Sequence, residues 1–531
     1  MGESKTTDGN SPSVVVLAEK PSVARDLARV LGATRQAQGY LEGAGHAVTW
    51  AIGHLVALAE PDRMDPSWKA WRWGALPLLP KVWPLEVLPA TRRQFAVVER
   101  LLNRRETELV VCATDAGREG ELIFRYIYEK AGCRKPVKRL WLSSLTPEAI
   151  AEGFRKLRAG SELDPLADAA KGRSRADWLV GMNLTRAYTL AFRQGRDVLS
   201  VGRVQTPTLA LIAERDRSIR EFVPEKYREV VASFAPESPG PDGAYRGTWF
   251  RQGAAEPATR LPPEGDEAER IAERVRRGRA VVESVERETK RRPPPLLYDL
   301  TELQRDANRL FGFTAKRTLE LAQRLYEERK LLSYPRTDSR HLSAAVAATL
   351  PDVVAAVRGP YEAHLAPDTG RRPLGRRFVD DEKVSDHHAL IPTGRSSAGL
   401  ESASEEGRLY DLVCRRLLQA WQPDLVTSTM TVVTRVSSAD AVDRFRSVGS
   451  AVEEPGWKAL DLPSRSRKGR GSEGEDEAAE PLPPGLAKGE PRRVADVAVL
   501  DKATKPPKPH TEASLLTAME TAGRGLEDRE L

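Results

Sequence analysis

The sequence predicts a multidomain fold, with an α/β domain followed by helical (α) and strand-rich (β) domains. Three observations predict it. The chain has 531 residues, whereas single cores stop growing at about 250–300 residues. Its first part alternates β-branched apolar runs with helical stretches that stop at glycines, the pattern of a parallel sheet with crossover helices. Further along, helical spacing gives way twice to period-two alternation.

The elements follow in order. Residues 1–13 are polar and lack an apolar core, which predicts a disordered tail and not a signal peptide. Ser13-Val-Val-Val-Leu-Ala18 reads as a buried strand that ends at Glu19-Lys20-Pro21-Ser22. A helix from Val23 to Leu31 closes at Gly32. Leu109-Val-Val-Cys-Ala113 repeats the strand and leads into Thr114-Asp115-Ala-Gly117-Arg118-Glu119-Gly120-Glu121 and a helix from Leu122 to Ala131. A third strand, Lys138 to Leu142, precedes Thr146-Pro147-Glu148, an N-cap with a first-turn proline and acid.

The α/β domain is set at 14–145 and a helical domain at 146–224, with helical spacing over Leu157–Trp178 and Ala187–Arg220. Strand-like alternation marks 225–292 and 426–502. A second helical domain, 293–425, stands between them and is inserted in a single strand-rich domain if the two stretches form one, with Lys290-Arg-Arg-Pro-Pro-Pro295 as the boundary and a solvated linker. Residues 464–485, rich in charge, Pro and Gly, read as a disordered loop.

Composition bounds the function. Lys plus Arg is 83 against 76 for Asp plus Glu, a net of +7, which permits a nucleic-acid partner without requiring one. Cys112, Cys133 and Cys414 are widely spaced, which argues against a zinc ribbon or disulfide framework and fits a reducing cytoplasm. No window approaches about 18 consecutive apolar residues, so no membrane span is expected. Met1-Gly2-Glu-Ser-Lys-Thr6 matches a loose acylation pattern with nothing else to support it. No Gly-Lys-Ser or Gly-Lys-Thr is present, hence no Walker A loop and no ATP-driven chemistry.

Two stretches carry chemistry. Lys330-Leu-Leu-Ser-Tyr334-Pro-Arg336-Thr-Asp-Ser339 sets a phenol two residues from a guanidinium. Pro335 holds Tyr334 extended, so Tyr334 and Arg336 are expected on one side. A phenol is a poor nucleophile unless a cation stabilises its anion; Arg336 would do that or hold a phosphate. A half-buried strand end with an exposed arginine is the plainer reading. Upstream, two strands deliver Glu19 and Asp115 to the carboxyl edge of a sheet, where open α/β folds bind ligands. Converging carboxylates suit Mg²⁺, and Glu119 sits one helical turn from Asp115. Acids at helix starts are also common for dipole reasons alone.

At these residues the chain resembles a known family. Glu19-Lys20-Pro21-Ser22 and Ala113-Thr114-Asp115-Ala-Gly-Arg118-Glu119-Gly120-Glu121 are similar to the two acidic motifs of a Toprim domain. The Tyr334 segment resembles the active site of type IA DNA topoisomerases, and the wording is closest to topoisomerase III. Further matches follow in the family's order: Gly53-His54-Leu55, Arg175-Ala-Asp177-Trp178-Leu-Val-Gly181-Met-Asn183-Leu-Thr185-Arg186, and Ser200-Val-Gly202-Arg203-Val-Gln205-Thr206-Pro207-Thr208. Asp386-His387-His388-Ala-Leu-Ile-Pro392-Thr393 and Thr504-Lys505-Pro-Pro-Lys508-Pro-His510-Thr511-Glu512-Ala513 complete the set. The chain departs at Gly117, where the family commonly has a second aspartate, so one Mg²⁺ held mainly by Glu19 and Asp115 is the expectation.

The resemblance implies that insertion, a toroid of domains and a C-terminally truncated chain, with 503–531 beginning a return to the 146–224 domain. It implies ATP-independent, Mg-dependent cleavage of one DNA strand through a 5′-phosphotyrosine, strand passage and religation, to relax negative supercoils or decatenate DNA. The implied catalytic residues are Tyr334, Glu19, Lys20, Arg336 and His387. The implied DNA-binding residues are His54, Arg175, Asn183, Ser200, Gly202, Arg203, Gln205 and Arg336, and the metal ligands are Glu19, Asp115 and Glu119. Trp178 lies in an apolar run and is expected in a core. Adjacent residues point apart, which argues against His387 and His388 as a metal pair. Single-stranded or underwound DNA is the implied partner of a monomer in the bacterial cytoplasm at the nucleoid, with a helicase as a candidate partner. Two other readings stand beside this one: a Toprim metal-dependent nuclease with an incidental tyrosine, and a non-catalytic single-strand-binding fragment.

Overall fold

A computed structural model describes residues 12–237, 243–252, 258–384, 387–462 and 481–522. The expectations for residues 1–11, for Asp386, for most of the 464–485 loop and for 523–531 lie outside these.

The first domain is a seven-stranded sheet. Its spatial order is Arg35–Ala37, Tyr40–Gly43, His46–Trp50, Val14–Ala18, Leu109–Ala113, Val137–Arg139 and Arg158–Ala159. The sheet therefore runs past residue 145. Its four central strands are parallel. Val15 and Leu17 pack on one face with Phe95, Leu101 and Ile123, while Val16 and Ala18 pack on the other with Leu27 and Ala28. Burial on both faces explains the unbroken apolar runs. The helix Pro21–Leu31 stops at Gly32, whose φ of 73° is left-handed and whose N–H bonds back to Ala28. Thr146 caps Pro147–Arg155 by accepting from Ala149 N–H.

Two long helices follow, Asp164–Phe192 and Gln205–Arg220. The first continues where the spacing suggested a break near Trp178, and the non-helical stretch lies at 193–204, around Gly195 with φ of 82°.

The strands Lys226–Pro236, Tyr245–Trp249, Val442–Glu454, Leu425–Ser437, Arg279–Arg292 and Pro491–Ala503 close, in that spatial order, into one barrel. Phe234, Val282, Val432, Phe445 and Val497 fill it. Lys290–Arg292 are not a linker: they pair in register with Leu425–Thr427 as the end of a strand. Because Arg292 stands opposite Leu425, the chain leaves and re-enters the barrel at one point. Everything between is a helical domain with its own core around Leu303, Leu321, Leu325, Val354, Leu409 and Leu417.

That inserted domain meets the rest of the chain on two further sides. Its helix Leu300–Phe311 packs on Glu512–Thr521, which also touches Gln205–Arg220. Tyr326 and Tyr334 join the apolar cluster on the Val16 face of the sheet. Among the described residues, no helix is long and apolar enough to cross a membrane.

Candidate active site

The parallel register brings the site together. Ala18 stands opposite both Trp50 and Ala113, so the ends of three adjacent strands release Glu19, His54 and Asp115 at one sheet edge. Asp115 N–H donates to Glu19 Oε2 at 3.1 Å, which joins the two acids directly. The Asp115 loop is held from below by Arg139, 1% exposed, which donates to the carbonyls of Cys112, Thr114 and Asp115. Its Nε faces the buried Glu121 carboxylate at 3.3 Å. Gly120 is required here, since a Cβ at that position would stand 2.0 Å from the Asp115 carbonyl oxygen.

Tyr334 arrives from the inserted domain. Its N–H donates to the Ser143 carbonyl at 3.0 Å, and its hydroxyl donates to Asp115 Oδ2 at 3.2 Å. The ring lies against His387, centroids 4.3 Å apart, and edge-on to Tyr326 at 5.4 Å. Burial raises the phenol far above its ordinary value, and the Asp115 and Glu19 charges add to the rise while Arg336 opposes it. The resting Tyr334 side chain is therefore a neutral phenol.

His387 is 3% exposed, and burial pushes it down to about 4. It is a neutral ring at physiological pH. Nε2 bonds to the Ala116 carbonyl, which can only accept, so Nε2 carries the hydrogen and Nδ1 faces the Ser143 hydroxyl at 3.2 Å. His387 thus ties the inserted domain to the sheet edge and sets the plane against which Tyr334 stacks.

The carboxyls are strongly perturbed. Burial, then the neighbouring Asp115, pushes Glu19 up to about 7. Burial also raises Asp115, against the pull of Lys20 and the Tyr334 hydrogen bond. Two largely desolvated carboxylates side by side fit a divalent cation, which relieves the cost of burying their charge. Glu119 departs from the expected ligand set. Its carboxylate accepts from His54 Nε2 at 2.6 Å, and that bond lowers Glu119 and raises His54. Among the described residues, no three His, Cys, Asp or Glu side chains converge as a ligand group.

Lys20 Nζ donates to Glu327 Oε1 at 2.5 Å, across the domain boundary. Arg336 is exposed while Tyr334 is buried, yet both bear on the same site. The guanidinium rests on the Gln323 amide oxygen, at 3.2 and 3.3 Å with that amide turned to satisfy both groups. From there its charge still acts on Tyr334, Glu19 and Asp115.

The remaining predicted residues lie along the helices. Asn183 uses its amide on the Leu78 N–H and carbonyl and on the Leu179 carbonyl; it fixes the 76–83 segment. Arg175 is exposed and lies over the Trp83 ring at 5.6 Å. Ser200, Arg203 and Gln205 are exposed. Arg203 pairs with Asp177, and Gly202 N–H donates to the Thr206 hydroxyl at 3.0 Å. Trp178 is 9% exposed and edge-on to Trp83 at 5.4 Å, a core position. Sequence reasoning missed Arg139 and Glu327. A lone arginine ending a strand and an acid ending an amphipathic helix give no periodic signal.

Residues 14–145 match the Toprim domain, a metal-binding domain, and residues 161–527 match the family described as DNA topoisomerase. DNA topoisomerase 3 of Shouchella clausii is 42% identical over 518 residues, spanning 97% of this chain and 67% of that protein. DNA topoisomerase 3 of Bacillus subtilis is 42% identical over 519 residues, spanning 97% and 68%. The fold is also that of full-length topoisomerase I from Thermotoga maritima, with a TM-score of 0.66 at 22% identity, covering 96% of this chain and 76% of that one. The chain belongs to the type IA DNA topoisomerase family and is similar to topoisomerase 3 within it.

Proposed function

We propose that this chain cleaves one DNA strand with Tyr334, passes another strand through the break and reseals it, without a nucleotide cofactor. The observation that carries the reading is the Tyr334 hydroxyl at 3.2 Å from Asp115 at the sheet edge. The phenolic oxygen attacks the phosphorus, the bond from phosphorus to the 3′ oxygen breaks, and the 5′ phosphate stays on Tyr334. Asp115 accepts the phenolic proton, and Glu19 gives a proton to the departing 3′ oxygen. A carboxyl near 7 holds a proton often enough at neutral pH to serve as that acid. The reverse steps reseal the strand, and the phosphotyrosine conserves the bond energy.

Lys20 and Arg336 supply charge to the phosphoryl oxygens, and neutral His387 keeps the Tyr334 ring in place. Mg²⁺ would be held by Asp115 and, as a competing role to proton transfer, by the ionised Glu19, and would supply positive charge at the DNA backbone. The exposed stretch with Arg175, Ser200, Gly202, Arg203 and Gln205 would carry backbone contacts that position single-stranded or underwound DNA without reading its sequence, with His54 beside it. A monomer in the bacterial cytoplasm, acting at the nucleoid with a helicase as candidate partner, fits this chemistry. Negatively supercoiled plasmid with Mg²⁺ and no nucleotide tests the reading. Relaxation in single steps of linking number is expected, and accumulation of nicked or linear DNA would indicate a nuclease instead.

A further inference from the structure

Two of the cations assigned to the reaction are held by one helix. Gln323 and Glu327 lie one turn apart on Ala315–Glu327 and so share a face. Gln323 holds Arg336, and Glu327 holds Lys20 at 2.5 Å. The Lys20 and Glu327 side chains are only 29% and 18% exposed. Glu327 ends its helix, where the macrodipole disfavours an anion, so helix stability does not account for a carboxylate there. Beside the pair lies a cleft of about 340 Å³, lined also by Arg317 and Arg324. Those two arginines are neutralised in turn by Glu405 and Glu406. The site is thus arranged with each cation already satisfied by a protein acceptor.

We propose that Glu327 is a positioning residue for strand cleavage: its carboxylate stands in for a DNA phosphate, holding the Lys20 ammonium until the backbone takes it over. This rests on the cleavage reading above. A carboxylate and a phosphodiester each carry one negative charge and accept from an ammonium in the same way. The exchange leaves Lys20 compensated in both states, and DNA binding pays for release of the Lys20–Glu327 bond. Entry of the strand is thereby coupled to loosening of a contact between the two domains that must part.

The test compares single-stranded oligonucleotide binding, by fluorescence anisotropy, among variants that all carry Tyr334→Phe to prevent cleavage. E327Q is expected to bind roughly three- to tenfold tighter at low salt, a gain that fades as salt screens the freed charge. E327D keeps the charge and is expected to bind within about twofold of its parent. On a Lys20→Met background E327Q is expected to have no effect, because Glu327 acts through Lys20. Unchanged or weaker binding by E327Q, an equal gain from E327D, or a gain that survives Lys20→Met would each overturn the proposal. Covalent trapping with unmodified Tyr334 is run alongside. Absence of an adduct there would sink the cleavage reading itself, whereas an adduct with no binding gain in E327Q sinks only the role given to Glu327.

Discussion

The Tyr334 hydroxyl donates to Asp115 Oδ2 at 3.2 Å, across a domain boundary between residues 219 apart in sequence. The resting site therefore holds, in contact, the phenol proposed as nucleophile and a carboxylate able to take its proton. Asp115→Asn removes the acceptor and also removes a buried charge. Adduct formation is expected to slow by on the order of a hundredfold or more, while thermal stability stays level or rises. A parallel loss of stability, measured by calorimetry, would show that the contact matters for folding instead.

Glu19 sets a pH dependence. Its value in the folded protein, about 7, lies above the ordinary 4.5, so the folded state binds this proton more tightly than the unfolded chain. The cost of its buried charge is absent below pH 4.5, grows as pH rises through that window and is complete above about 7. Glu19→Gln is therefore expected to stabilise the metal-free protein at pH 8 by on the order of 1–3 kcal/mol, with the gain much reduced at pH 5. Urea unfolding at the two pH values checks this. Added Mg²⁺ should narrow the gap at pH 8 by stabilising the wild type alone.

Asp26 and Lys330 form a second ion pair across the same boundary, with side chains 17% and 11% exposed. Lys330 has a left-handed φ of 58°, a conformation that costs a lysine about 1 kcal/mol. A double-mutant cycle with Asp26→Ala and Lys330→Ala should show a coupling of about 1–3 kcal/mol in unfolding free energy. Each single variant should also hold the domains less tightly and so raise the fraction of open, strand-passing molecules per cleavage event.

Gly120→Ala should be among the most damaging conservative changes in the α/β domain. The new methyl would sit 2.0 Å from the Asp115 carbonyl, and the helix start cannot retreat because Thr114 Oγ1 bonds the Gly120 carbonyl at 2.8 Å. A loss of about 1–3 kcal/mol is expected, with cleavage reduced further because Asp115 moves. The contrasting control is Gly117→Ala, where a Cβ meets nothing within 4 Å; it should leave stability nearly unchanged.

Glu19 and Asp115 were legible because a buried parallel strand announces itself as an apolar run, and the residue after it stands at the ligand-binding edge. The proline and arginine neighbours drew attention to Tyr334, and the Arg336 charge does act on Tyr334, Glu19 and Asp115, although the segment is irregular, with a single bridge at Leu332–Pro392. The barrel's closure was not readable, since it depends on Arg292 meeting Leu425 across 133 residues. Glu119 was read as a metal ligand, Asn183 as a DNA contact and Lys20 as a catalytic cation from their positions in the chain. Their partners, His54, Leu78 and Glu327, come from distant segments that only tertiary packing brings near.

Covalent trapping tests the central claim most directly. End-labelled single-stranded DNA is incubated with the protein and Mg²⁺, stopped with SDS and resolved on a denaturing gel beside Tyr334→Phe. The account predicts labelled protein in the wild-type lane and none in the variant. Cleaved DNA without label on protein, equal in both lanes, would contradict it.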